Sequence, residues 1–160
     1  MKALSFLFKT DNDVSTLLLR LVLGAVFFPH GAQMVLGWFG GYGFSGTMGF
    51  FTGTLHIPAP FAFLAIAAQF AGAIALILGL FTRLAALGIA ANMLVAVAMV
   101  HAQYGWFMNW FGNQKGEGFE YHLLAIGIAI LLIIRGGGKW AADTAIENSL
   151  RATEMQRAIA

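Results

Sequence analysis

The sequence has no cysteine. Disulfides, thiolate nucleophiles and cysteine-held iron–sulfur clusters are therefore excluded. So are the small membrane enzymes that pass electrons from cysteine pairs to quinone. Any sulfur chemistry nearby must reside in a partner. Charge is also scarce. Only 10% of the 160 residues are Asp, Glu, Lys or Arg, against about 25% in soluble domains. The net charge of +2 comes from scattered residues, whereas nucleic-acid binding needs a dense basic patch. A cleavable leader is not expected. Lys9, Asp11 and Asp13 follow the short apolar patch after Lys2, and the first long apolar run carries Arg20 and lacks a small-residue cleavage site.

What is there is apolar. Hydrophobic residues make up 59% of the chain. No Lys, Arg, Asp or Glu occurs from Leu21 to Thr82, nor from Leu84 to Gln114. A membrane span needs about 20 such residues. The pattern predicts an all-α, integral membrane four-helix bundle with spans at about 14–36, 60–81, 83–103 and 118–135. A membrane domain over 1–144 is expected to precede a cytoplasmic amphipathic tail over 145–160, with Ala142, Ile146 and Leu150 at four-residue steps. Arg20 is expected to snorkel to the interface. Leu80-Phe81-Thr82-Arg83 is expected to be a tight turn between antiparallel spans.

Charge sets the orientation. Lys2, Lys9, Arg20, Arg83, Arg135, Lys139, Arg151 and Arg157 fall on one side, and Lys115 alone on the other. The basic side of a bacterial inner membrane protein is cytoplasmic, so both termini are expected inside. The first outer connection, Gly37 to Pro58, is glycine-rich. Phe44, Met48, Phe51 and Leu55 recur there at helical spacing, which predicts a short interfacial helix. The second, 103–119, carries Tyr104, Trp106, Phe107, Trp110 and Phe111, as an aromatic belt would. Small residues at four-residue steps, Ala71-Ala75-Gly79 and Ala86-Ala90, mark expected helix contacts.

Polar groups inside spans are costly and mark function or interhelical glue. At about 1.5 Å per residue, Gln33, Gln69, Glu120 and His122 reach one layer about 20 Å from the inner charges. His30 lies slightly deeper, beside Pro29 and Gly31, where a missing backbone hydrogen bond frees a carbonyl. The candidate ligand-binding residues are His30, Gln33, Gln69, Glu120 and His122, with Asn92, His101 and Gln103 as secondary candidates. Helical geometry limits this set. Asn92 and His101 are about 180° apart on a straight helix, and Glu120 and His122 about 200°. They cannot all face one centre. Histidine and amide donors in an apolar, aromatic slot suit a quinone headgroup better than haem or a metal. The haem reading has only His30 with His122 as facing ligands and lacks a CxxCH motif.

Leu19-Arg-Leu-Val-Leu-Gly24 leads to His30-Gly31, and Gly43-Phe-Ser-Gly-Thr-Met-Gly-Phe-Phe51 leads to Ile57-Pro-Ala-Pro60. Leu76-Ile-Leu-Gly-Leu-Phe-Thr-Arg83, Glu120-Tyr121, Gly136-Gly-Gly-Lys-Trp140 and Asp143 follow in order. In these pieces, from Leu17 to Thr144, the chain resembles the DoxX family. The resemblance implies a four-span inner-membrane protein tied to quinone-coupled oxidation, working with membrane or periplasmic redox proteins or with copies of itself. Family members often carry Glu where this chain has Gln69, so a titratable group is missing there. The functional expectation is a membrane subunit of a quinone-linked oxidoreductase system. A non-catalytic accessory or assembly subunit is the alternative, and a small transporter the third reading.

Overall fold

A computed structural model of the chain describes residues 2–159, with side chains for 5–156. The side chains of Lys2 and Arg157, counted in the charge argument, lie outside the described residues. Seven α-helices run along it: α1 Lys2–Phe8, α2 Val14–Leu36, α3 Gly43–Gly49, α4 Ala59–Leu78, α5 Thr82–Ala96, α6 Glu120–Arg135 and α7 Asp143–Ile159. Two π-helical turns extend the helical stretches. Phe50–Thr54 continues α3, and Val97–His101 continues α5 into a 3-10 turn at Ala102–Tyr104.

Local chemistry sets the helix ends. Asp13 caps α2, its carboxylate accepting the Ser15 N–H at 2.8 Å. Gly37, at φ 71°, ends it in the left-handed conformation. Pro60 sits in the first turn of α4, where its missing N–H costs nothing, and Gly79 ends that helix at φ 67°.

The expected four-helix bundle of four spans is not what the chain forms. Among the described residues three helices are long and apolar enough to cross a membrane: Val14–Leu36, Ala59–Leu78 and Thr82–Tyr104. The fourth segment, expected over 118–135, starts only at Glu120 and has 16 residues. That is about 24 Å, short of the roughly 30 Å hydrocarbon core. The reason lies in the loop before it. Phe119 N–H and Glu120 N–H bond back to Gly105 O and Trp106 O at 3.2 and 3.0 Å. Gly118 is pressed so closely on this turn that a Cβ would lie 2.4 Å from Phe107 O. The backbone groups that would extend α6 are held in a closed loop instead.

The helices pack around a core of Leu23, Phe27, Ala73, Leu76, Ile89, Met93, Ala129 and Leu132. α6 buries one face, His122, Ala125, Ala129 and Leu132, at helical spacing. The closest approach of α2 and α4 falls on glycines of α2. A Cβ on Gly31 would lie 2.5 Å from Phe70 Cα, and one on Gly24 3.1 Å from Ala73 O. Ala71, in the small-residue row expected to pack, is exposed, whereas Ala86 and Ala90 are buried as helix-contact residues.

Both chain ends gather where α4 turns into α5. Arg20 does not snorkel outward; it is only 2% exposed. Its guanidinium donates to Leu76 O at 2.6 Å, Ile77 O at 2.8 Å and Gly137 O at 2.8 Å. The last carbonyls of α4 have no partner within the helix, and a buried planar cation satisfies them better than water at the interface. Arg83 donates likewise to Lys9 O and Ile133 O. The Asp143 carboxylate accepts Phe81 N–H and Thr82 N–H at 2.7 and 2.9 Å, capping α5. Arg135 pairs with Asp13 at 3.0 Å. Thr10 N–H reaches Glu147 on α7 at 3.2 Å. The N-terminal and C-terminal segments therefore share one end of the molecule.

Candidate functional site

At the opposite end from these contacts lies a cavity of about 480 Å³, within the range of small-molecule sites. Its walls are mainly apolar. Phe27 and Met34 come from α2, Phe50 and Phe51 from the π-turn after α3, and Met93, Val95 and Met99 from the α5 stretch. Polar side chains enter from four elements: His30 from α2, Gln69 from α4, Asn92 and His101 from the α5 stretch, and Tyr121 and His122 from α6.

Asn92 and His101 share this cavity because the helix between them is not an α-helix throughout. Val97–His101 winds with i→i+5 hydrogen bonds. Such a turn takes one extra residue and sets the following side chains back by about 100°. His101 swings from the far face of α5 toward the face of Asn92. Gln103, a secondary candidate, turns outward and donates to Val100 O at 3.0 Å.

Asn92 Nδ2 donates to Ala65 O at 2.7 Å and to Gln69 Oε1 at 3.3 Å. The two amides thus tie α5 to α4 and line the cavity as well. His101 Nδ1 lies 2.8 Å from Glu117 O. A carbonyl only accepts, so Nδ1 carries the hydrogen and Nε2 is the nitrogen left for another partner. The His101 and His122 rings touch, with centroids 4.1 Å apart at 44°. Tyr121 stacks on Phe27 at 6.3 Å. Tyr121 and His122, which line this cavity, each carry a buried polar atom, Oη and Nδ1, with no hydrogen-bond partner among the described residues. An unmet buried polar atom costs about 1–3 kcal/mol, and a side-chain turn toward the cavity would bring either atom to a polar ligand.

Of the expected residues, the structure brings His30, Gln69, Asn92, His101 and His122 together. Gln33, Glu120 and Gln103 do not line the cavity. Gln33 Nε2 donates to Phe39 O at 3.3 Å and steadies the turn after α2. Glu120 faces the loop. Its Oε1 accepts Met108 N–H at 2.9 Å and Trp110 Nε1–H at 3.1 Å. The Glu120–His122 conflict of faces is thus resolved in favour of His122. His30, a candidate ligand-binding residue, makes no hydrogen bond among the described residues and is exposed on the cavity wall. Tyr121 and Glu117 were not singled out from sequence. The Tyr121 hydroxyl becomes notable only once its ring is seen on Phe27. Among the described residues no three His, Asp or Glu side chains converge as a metal site would require.

The fold and cavity define a multi-pass helical membrane protein with a polar-tipped apolar pocket. Residues 15–102 match the DoxX family model, more than half of the chain, and the chain belongs to the DoxX family. The match runs from α2 through the π-turn of α5, and so excludes Tyr121 and His122. A protein of Bacillus subtilis (strain 168) named "Putative oxidoreductase CatD" is 29% identical over 120 residues, covering 75% of this chain and 79% of that protein. No solved structure matches the chain.

Proposed function

We propose that this protein is a membrane subunit of a quinone-linked oxidoreductase system and that its cavity receives the quinone headgroup. The observation that carries this reading is a mainly apolar cavity lined by His30, Gln69, Asn92, His101, Tyr121 and His122, of which Tyr121 Oη and His122 Nδ1 are buried without a hydrogen-bond partner among the described residues. A quinone ring is flat and apolar with two carbonyl acceptors, and the donors here suit it. When bound, quinone supplies two-electron, two-proton chemistry. Tyr121 donates a hydrogen bond to a carbonyl. His122 and His101 Nε2 lie beside it as the groups that exchange protons, His101 Nε2 as an acceptor while Nδ1 keeps its hydrogen on Glu117 O. Gln69 cannot titrate, so proton handling falls to the histidines rather than to α4. Phe27 and the methionines exclude water. Gln33 and Glu120 act at one remove, by holding the turns around the cavity.

The named oxidoreductase relative supports the redox class. Electrons come from a membrane or periplasmic redox partner. The shared end of the two terminal segments carries most of the basic residues, and the preference of basic residues for the cytoplasmic side supports a reading with the cavity toward the outer side. One observation favours a second reading, an accessory or assembly subunit. The tip of the 105–119 loop holds Trp110 and Phe111, 78% and 88% exposed, where a partner protein could seat.

Purification in mild detergent, with extraction and mass spectrometry of bound lipids, tests the proposal. Near-stoichiometric quinone is expected. Tyr121→Phe and His122→Ala each lower its occupancy about tenfold, the effect of one lost hydrogen bond of about 1.4 kcal/mol. A quinone-free protein that brings down a stable partner instead overturns the quinone site and leaves the accessory role.

A further inference from the structure

Two π-helical turns, rare in proteins and frequent at functional sites, border the same cavity. Phe50 and Phe51 on one and Val100 and His101 on the other line it. Phe50, Val95 and Met99 line the cavity and are 44%, 49% and 44% exposed. Val95 and Met99 lie within the third span, so this side of the cavity lies at the depth of the hydrocarbon core. The polar tip lies elsewhere on the wall, at His122, which is 5% exposed.

The segment that carries Phe50 has glycines its packing does not require. A Cβ on Gly49 or Gly53 would meet nothing within 4 Å. Neither has a positive φ. Gly31 and Gly118, by contrast, are each pressed against backbone. A glycine without steric need contributes only backbone freedom, and it weakens a helix relative to alanine. Before these glycines the segment is anchored to α2, where Thr47 donates to Met34 O at 3.2 Å; after them Ile57 N–H closes back locally on Phe51 O at 2.9 Å.

Resting on the quinone reading above, we infer that this segment is a lateral door. The substrate is a membrane-dissolved quinone with a long isoprenoid tail, and it enters between the two π-turns from the bilayer. The headgroup passes Phe50 and Met99 to reach Tyr121 and His122, and the tail remains in the gap beside Val95. Gly49 and Gly53 let the door swing. The site thereby selects tailed quinones dissolved in lipid over water-soluble ones.

Stopped-flow tryptophan quenching in nanodiscs tests this with two probes, a decyl-tailed quinone and its tailless analogue, in the wild-type chain and in Gly49→Ala/Gly53→Ala. Alanine fits both positions without a clash, so the fold is kept. It favours the closed helical door by about threefold per glycine. The association rate of the tailed quinone is expected to fall roughly tenfold in the double variant. Met99→Trp, which narrows the gap, should weaken the tailed quinone more than the tailless one. Unchanged association of the tailed quinone in the double variant overturns the door. Failure of both probes to bind the wild-type chain overturns the quinone reading itself, which separates the two outcomes.

Discussion

Replacing Arg20 is expected to destabilise this protein more than any change at the cavity, although Arg20 touches no candidate ligand. The guanidinium is 2% exposed and donates to three carbonyls. In Arg20→Met, Leu76 O keeps the Gly79 N–H at 3.1 Å. Ile77 O and Gly137 O lose their donor. The buried Gly137 O and the part-buried Ile77 O, left without a donor, cost up to about 1–3 kcal/mol each. Relief of the buried cation's desolvation offsets part of this, leaving a loss of about 3 kcal/mol. Arg20→Lys keeps the charge but not the planar fork, so its expected loss is about 1–2 kcal/mol. Denaturant titration in detergent, read by far-UV circular dichroism, measures both. Two results would refute the reasoning: Arg20→Met within about 0.5 kcal/mol of wild type, or Arg20→Lys worse than Arg20→Met. Either would mean that the carbonyl contacts do not hold the ends of α4 and the Gly137 turn.

Gly31→Leu should abolish folding, because even a Cβ meets Phe70 Cα at 2.5 Å and the α2–α4 contact must part; expression and size-exclusion profiles report this. Glu120→Ala removes the acceptor for Met108 N–H and Trp110 Nε1–H. Hydrogen exchange across 106–112 should then rise about tenfold or more, since such charge-assisted bonds are worth about 1.5–3 kcal/mol, and unchanged exchange would show the loop is held by other means. The Ser15 N–H, then the Arg135 charge, hold the Asp13 carboxylate below its usual range. A depressed acid contributes stability above its unfolded pKa and loses it as pH falls through the folded value. Stability should therefore drop below about pH 4. Asp13→Asn should flatten that part of the profile, and an unaltered profile would remove Asp13 from the acid transition.

Much of the helical layout was legible in the chain because apolar runs free of charge are unambiguous. The first predicted span, 14–36, coincides with Val14–Leu36, where Asp13 and Gly37 punctuate the run. The fourth, expected over 118–135, differs because an apolar run says how far a helix would need to extend to cross the bilayer, not whether the loop before it permits extension. The bonds of Phe119 and Glu120 back to Gly105 and Trp106 decide that. Arg20 misled for a related reason. Snorkelling is the default of an isolated helix, and three carbonyls from two other segments supplied a better site.

The sequence by itself determined that this is an apolar, cysteine-free membrane chain. It also determined that basic residues favour one side and that histidines and amides sit within its helices. Those follow from composition and from spacing along one chain. Tertiary structure alone decided which polar groups meet. A π-turn rotated His101 toward Asn92 and His122. The 105–119 loop drew Glu120 away from the cavity. Tyr121 Oη and His122 Nδ1 were left buried without a partner among the described residues. Ideal helical angles carry no information about a local change of winding or about a loop folding back. The facing of a side chain is settled only when its neighbours from other helices are in place.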